Sequence, residues 1–158
     1  MHYFAYGTLL DIDYMRQLCP SARPVGVMRL DGFELGFAKC ADPSRAGCTL
    51  EAAAGAATWG VQYELSDADM AKLDAASGVP QGHWARKAVT VHDVNGKTVE
   101  TTTYVIPRAS GPHAPPDPYV GHIFTGAAQF KLPSDYIARL QALIGAAQGK
   151  SDRAPPAR

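Results

Sequence analysis

Several familiar signatures are absent from this chain of 158 residues, and each absence removes a class of function. There is no excess of one charge, since Lys and Arg total 15 and Asp and Glu total 15. A nucleic-acid footprint needs clustered basic residues, so no nucleic-acid partner is expected. No apolar run approaches the roughly 20 residues of a membrane span, and no basic start leads into an apolar stretch. Neither a membrane partner nor a secretory signal is therefore expected. Cysteine is scarce: Cys19, Cys40 and Cys48 are odd in number and form no C-x-x-C pair. They read as reduced thiols in a cytoplasmic protein. The five histidines are scattered, none paired at metal-ligand spacing, and His83, His92, His113 and His122 read as surface residues. A G-x-x-x-x-G-K phosphate loop and internal repeats are missing. A nucleophile elbow is missing too, because Ala75-Ala76-Ser77-Gly78 lacks its first glycine.

What is present suits one globular domain, expected over residues 1–149 with a flexible tail over 150–158. Hydrophobic residues make up 46% of the chain and charged residues 19%, enough apolar matter for a real core. The stretch Tyr3-Phe4-Ala5-Tyr6 has the aromatic, apolar character of a buried strand, and Gly7-Thr8 interrupts it. Leu10, Tyr14, Met15 and Leu18 then recur at helical spacing, so a helix is expected over 10–18, with Asp11 and Asp13 in its first turn. A strand that ends in a glycine turn and feeds a helix presents unpaired N–H groups, which suit a carboxylate or phosphate.

Further along, alternation marks strands over 22–30 and 33–37, with Asp31-Gly32 between them as a hairpin signal. A polar loop over 41–46 precedes a short strand over 48–51, with Thr49 and Glu51 on one face, then a turn over 52–56 and a strand over 59–65. Ser66 caps a helix over 67–76 that Ser77-Gly78 stops. Strands over 85–92 and 98–106 flank Asn95-Gly96, a tight hairpin signal. A proline-rich loop over 107–118 leads to a helix over 119–130, and the last helix buries Tyr136, Ile137, Leu140 and Ile144. Strand and helix do not alternate, so the class expected is α+β, a small curved sheet or barrel flanked by helices. Locally, Ser77 is a helix-end hydroxyl, and Tyr6, Tyr104 and Tyr119 stand at element ends beside loops.

The landmarks, in order, are Tyr3-Phe4-Ala5-Tyr6-Gly7-Thr8-Leu9, Ala57-Thr58-Trp59-Gly60-Val61, Leu73-Asp74-Ala75-Ala76-Ser77-Gly78-Val79, Gly82-His83-Trp84, Thr103-Tyr104, Pro118-Tyr119 and Leu132-Pro133-Ser134-Asp135-Tyr136. This series resembles the γ-glutamylcyclotransferase (AIG2-like) family across residues 2–145. The resemblance implies a small mixed β-barrel with flanking helices. It also implies release of 5-oxoproline from a small γ-glutamyl amine or amino acid, a carboxylate-bearing ligand, and no cofactor or metal. It makes Tyr6, Gly7, Thr8 and Leu9 the substrate loop, with Tyr104 and Tyr119 in the pocket and Trp84 where many members carry tyrosine. Leu9 replaces the Asn common in glutathione-pathway members and is closer to the branch that handles γ-glutamylamines.

One departure bears on the chemistry. The family's catalytic glutamate directly precedes a glycine, and that place holds Ser77 here. A serine hydroxyl has no useful basicity at neutral pH without a base beside it. Asp74, one helical turn earlier, and Glu51, which shares a strand face with Thr49, are the candidate substitutes. Three readings follow: a cyclotransferase with another base, a related enzyme acting on an amide or cyclic substrate through Ser77, and a non-catalytic module that binds a carboxylate ligand or a partner.

Overall fold

The computed structural model describes residues 1–150; the expected flexible tail falls almost wholly outside them. β1 (His2–Ala5) buries Tyr3, Phe4 and Ala5 and lies between two longer strands of the sheet. It runs antiparallel to β3 (Ala46–Glu64) from His2↔Glu64 to Ala5↔Val61, and parallel to β5 (Thr98–Val105) at Tyr3↔Thr102. β4 (Ala85–His92) pairs with β5 over its whole length, and meets β2 (Arg23–Lys39) at Arg29↔His92. β2 and β3 pair with each other, which closes a five-stranded mixed barrel. A two-residue strand, β6 (Gly111–Pro112), extends the sheet from Ala38 and Lys39.

Four helices flank this barrel: α1 (Ile12–Leu18), α2 (Asp67–Ala76), α3 (Asp117–Gln129) and α4 (Ser134–Ala147). Pro118 sits in the first turn of α3, where its missing N–H is no loss, so the helix starts two residues before the 119 expected. Tyr136, Leu140 and Ile144 of α4 are buried as their spacing requires, and Ile137 is half-buried. None of the described helices is long and apolar enough to cross a membrane.

Two expected turns are not turns. Asp31-Gly32 lies inside the continuous β2, and residues 52–56 lie inside β3. They face each other across one ladder, where the register jumps from Asp31↔Ala57 to Phe33↔Ala52. Gly32 (φ +84°) and Gly55 (φ +82°) supply positive φ to this irregularity. A bulge needs that conformation as much as a hairpin does, so the local signal was right about the backbone and silent about chain reversal. The reversal comes at residues 40–45, where the Cys40 N–H bonds to the Arg45 carbonyl at 2.8 Å. At Asn95-Gly96 the hairpin is real but one residue longer than a tight turn: Asp93 and Lys97 close it, and the Asp93 carboxylate accepts the N–H groups of Asn95 and Lys97, each at 2.9 Å.

Candidate functional site

After β1 the chain does not enter a helix at once. Gly7 leads into a 3₁₀ turn (Thr8–Leu10), and Asp11 then caps α1 by accepting the N–H groups of Asp13 (3.1 Å) and Tyr14 (3.3 Å). Asp11 is thus the cap rather than a first-turn residue. The first N–H groups of such a turn have no carbonyl partner within it. The turn is held from behind. Tyr63 Oη donates to the Leu10 carbonyl at 3.3 Å, and His122 Nδ1 lies 2.9 Å from Asp11. Gly126 brings α3 against Leu10 and Asp11 so closely that any side chain there would collide with their backbone. Burial alone would raise the Asp11 carboxyl, but the bonds to His122 and to the two N–H groups outweigh it and hold it below the usual range.

In front of the turn opens a cavity of about 280 Å³. Its walls bring together Tyr6, Gly7, Thr8, Leu9, Ser77, Trp84, Tyr104 and Tyr119, from five separate stretches of chain. A shallower groove between α1 and the end of α2, lined by Leu9, Tyr14, Gln17, Leu18 and Ala76, continues from it. Tyr6 Oη donates to the Tyr104 carbonyl at 2.6 Å, and the rings of Tyr3 and Tyr104 pack 5.4 Å apart. The start of β3 forms the wall beside the turn. There the Cys48 peptide is clamped at both ends: its N–H donates to Tyr119 Oη at 2.8 Å, and its carbonyl accepts from Trp84 Nε1 at 2.9 Å. Next door Gly47 is required, since any Cβ would strike the Tyr119 hydroxyl.

Ser77 reaches the cavity because α2 stops there. The Gly78 N–H bonds to the Ala75 carbonyl (3.1 Å) and the Val79 N–H to the Asp74 carbonyl (3.0 Å), the Schellman pattern, with Gly78 at φ +67°. Asp74 and Glu51, the expected candidates for a base, do not line the cavity. Glu51 lies across the ladder against Gly36, exposed. Asp74 is one bond removed: the Tyr104 hydroxyl donates to its Oδ1 at 2.5 Å, and Arg86 grips both its oxygens at 3.0 and 2.6 Å. Arg86 first, and Tyr104 after it, hold the Asp74 carboxyl below the usual carboxylate range. Burial, and then the Asp74 bond, push the Tyr104 phenol well above its ordinary value.

Arg45, Cys48, Tyr3, Tyr14, Leu18, Leu73 and Ala76 also line the cavity, and the sequence reading missed all of them as site residues. Cys48 faces inward, its sulfur against Gly7 and the Thr8 N–H, while burial pushes its thiol up to about 12. Only the inward alternation of β3 could have pointed to it. Nothing in the polar loop around Arg45 could have done so. Among the described residues, Arg45 is the only ionised side chain in the cavity wall, and no group of three His, Cys, Asp or Glu side chains could hold a metal.

Comparison with known proteins converges on one family. The model of the AIG2-like family matches residues 57–140. The human γ-glutamylcyclotransferase is 31% identical over 147 residues, covering 89% of this chain and 77% of that protein, and the bovine protein of the same name is 30% identical over the same spans. A solved structure described as a γ-glutamyl cyclotransferase superposes with a TM-score of 0.85 at 26% identity, covering all of this chain and 93% of the other.

Proposed function

Because the chain belongs to the AIG2-like family, with γ-glutamylcyclotransferases as its relatives, we propose that its cavity folds a small γ-glutamyl amine or amino acid back on itself and releases 5-oxoproline. One observation carries this reading: the turn after β1, Ser77, Trp84, Tyr104 and Tyr119 converge on a single cavity of the right size for such a compound. The turn's N–H groups, which lack carbonyl partners within it and of which that of Thr8 faces the weak acceptor sulfur of Cys48, suit the γ-glutamyl carboxylate. The α-amine then attacks its own γ-carbonyl, the five-membered lactam forms, and the C–N bond to the departing amine breaks. The ammonium nitrogen gives up two protons in becoming the lactam N–H, and the departing nitrogen takes up two in leaving as an ammonium at neutral pH, so the sum is balanced. Holding both reacting groups on one folded ligand supplies much of the rate.

Tyr104 and Asp74 together supply the proton acceptor. The only hydrogen on Tyr104 Oη is committed to Asp74, so towards the cavity this oxygen can only accept. A substrate ammonium can donate to it, and its proton passes on as the phenol proton moves to Asp74. Asp74, held low by Arg86, is ionised throughout the neutral range but is a weak base. On this reading Ser77 occupies the place of the family's glutamate, and the relay works more slowly than a carboxylate standing there would. Tyr104→Phe and Asp74→Asn should each cut 5-oxoproline release by about 10²-fold or more, with γ-glutamyl binding kept.

A second reading rests on a separate observation. No carboxylate or imidazole lines the cavity among the described residues, which suits a module that binds a carboxylate ligand without converting it. γ-Glutamyl-alanine bound by wild type and recovered intact after hours would favour it.

A further inference from the structure

We propose that Arg45 binds a second carboxylate, on the departing half of the ligand, and so makes the cavity select γ-glutamyl amino acids over γ-glutamylamines. This rests on the γ-glutamyl reading above. The side chain is fixed at its root by the hairpin turn: its N–H donates to the Asp42 carbonyl at 3.0 Å, and its own carbonyl accepts from Cys40. Four other arginines are matched with carboxylates: Arg23 with Glu64, Arg29 with Asp31, Arg86 with Asp74 and Arg139 with Glu34. Arg45 has no carboxylate within ion-pairing distance among the described residues. Its neighbour Asp42 acts on it only at longer range, and one Asp42 oxygen is taken by the N–H (2.9 Å) and hydroxyl (2.7 Å) of Ser44.

The placement matches the ligand. Cys48 packs against Gly7, which marks the end of the cavity where the turn's N–H groups lie. Arg45 precedes Cys48 by three residues on the same chain, so the two α-carbons are about 10 Å apart along it. The two carboxylates of a γ-glutamyl amino acid are separated by about two residues' length, roughly 7 Å, and the arginine side chain spans the remainder. Guanidinium matches carboxylate in a two-point, charge-assisted contact, and Arg45 is an exposed residue of the cavity wall, where the departing half of the ligand meets solvent. A γ-glutamylamine brings no partner for this charge. The indication from Leu9 towards amines rests on an uncharged side chain, and Arg45 outweighs it as the one charge in the cavity wall among the described residues.

Calorimetry with γ-glutamyl-alanine and γ-glutamyl-ethylamine, on wild type, Arg45→Gln and Arg45→Lys, tests the assignment. Wild type should bind the amino acid about three- to tenfold more tightly than the amine, the contact being made by an exposed side chain. Arg45→Gln should erase that difference, and Arg45→Lys should keep part of it. Equal affinities in wild type overturn the assignment. So does an Arg45→Gln variant that weakens both ligands alike, which would place Arg45 on the γ-glutamyl carboxylate instead. If wild type binds neither ligand, the γ-glutamyl reading itself falls, and this inference with it.

Discussion

Asp74 is the residue on which structure and chemistry meet. Its carboxylate is shared between Arg86, which keeps it ionised, and Tyr104, which connects it to the cavity. A carboxyl whose folded value lies below the unfolded 3.9 contributes stability that is present above about pH 4 and is lost as pH falls through the folded value. Urea unfolding of wild type and Asp74→Asn should therefore show a gap in midpoint at pH 5 to 7 that narrows towards pH 3. A gap independent of pH would mean the ion pair adds nothing. Ser77 makes the complementary prediction. If it stands in the place of the family's glutamate, Ser77→Glu should put a direct base into a cavity that keeps its turn and tyrosines, and raise 5-oxoproline release by about 10²–10⁴-fold. Arg45 and Cys48 were illegible at this scale, because a polar loop and a lone thiol carry no local pattern. Folding, not neighbours in sequence, packs Cys48 against Gly7 and brings Arg45 to the cavity wall.

At the scale of elements, the stop of α2 and the start of β3 bring Ser77 and Cys48 to the cavity. Ser66 begins α2 by accepting the Asp69 N–H at 3.1 Å, as its spacing indicated, and Gly78 ends it. Gly78→Ala would force a side chain into φ +67° and against the ring of His83. It should cost about 1 kcal/mol or more in urea unfolding and lower activity by moving Ser77. A variant as stable and as active as wild type would show that this cap does not hold the site. Helix ends and the strands 85–92 and 98–105 were readable because capping and alternation are local. The misread turns at Asp31-Gly32 and 52–56 share one cause. Positive φ is written in the sequence, but whether the chain reverses or merely bulges depends on a partner strand that lies at a distance along the chain.

The whole molecule is a barrel that closes only through non-local pairings: β1 with β3 and β5, and β2 with both β3 and β4. Strand periodicity alone supports a small curved sheet. The ordered landmarks, rather than any single motif, carried the resemblance to the family. Cys19, Cys40 and Cys48 are all buried thiols, and burial pushes each above its ordinary value. Native protein should react slowly with a thiol reagent, and protein unfolded without reductant should give three thiols. Fewer than three, with a disulfide in the mass spectrum, would show an arrangement other than this one. The most direct test of the proposed reaction is a ¹³C NMR time course of γ-glutamyl-alanine labelled at the γ-carbonyl, with wild type and Ser77→Glu side by side. The lactam carbonyl of 5-oxoproline should grow slowly but above buffer with wild type, and two to four decades faster with the variant. A folded Ser77→Glu protein that binds the ligand and leaves the amide resonance unchanged, beside an equally inert wild type, would contradict the account.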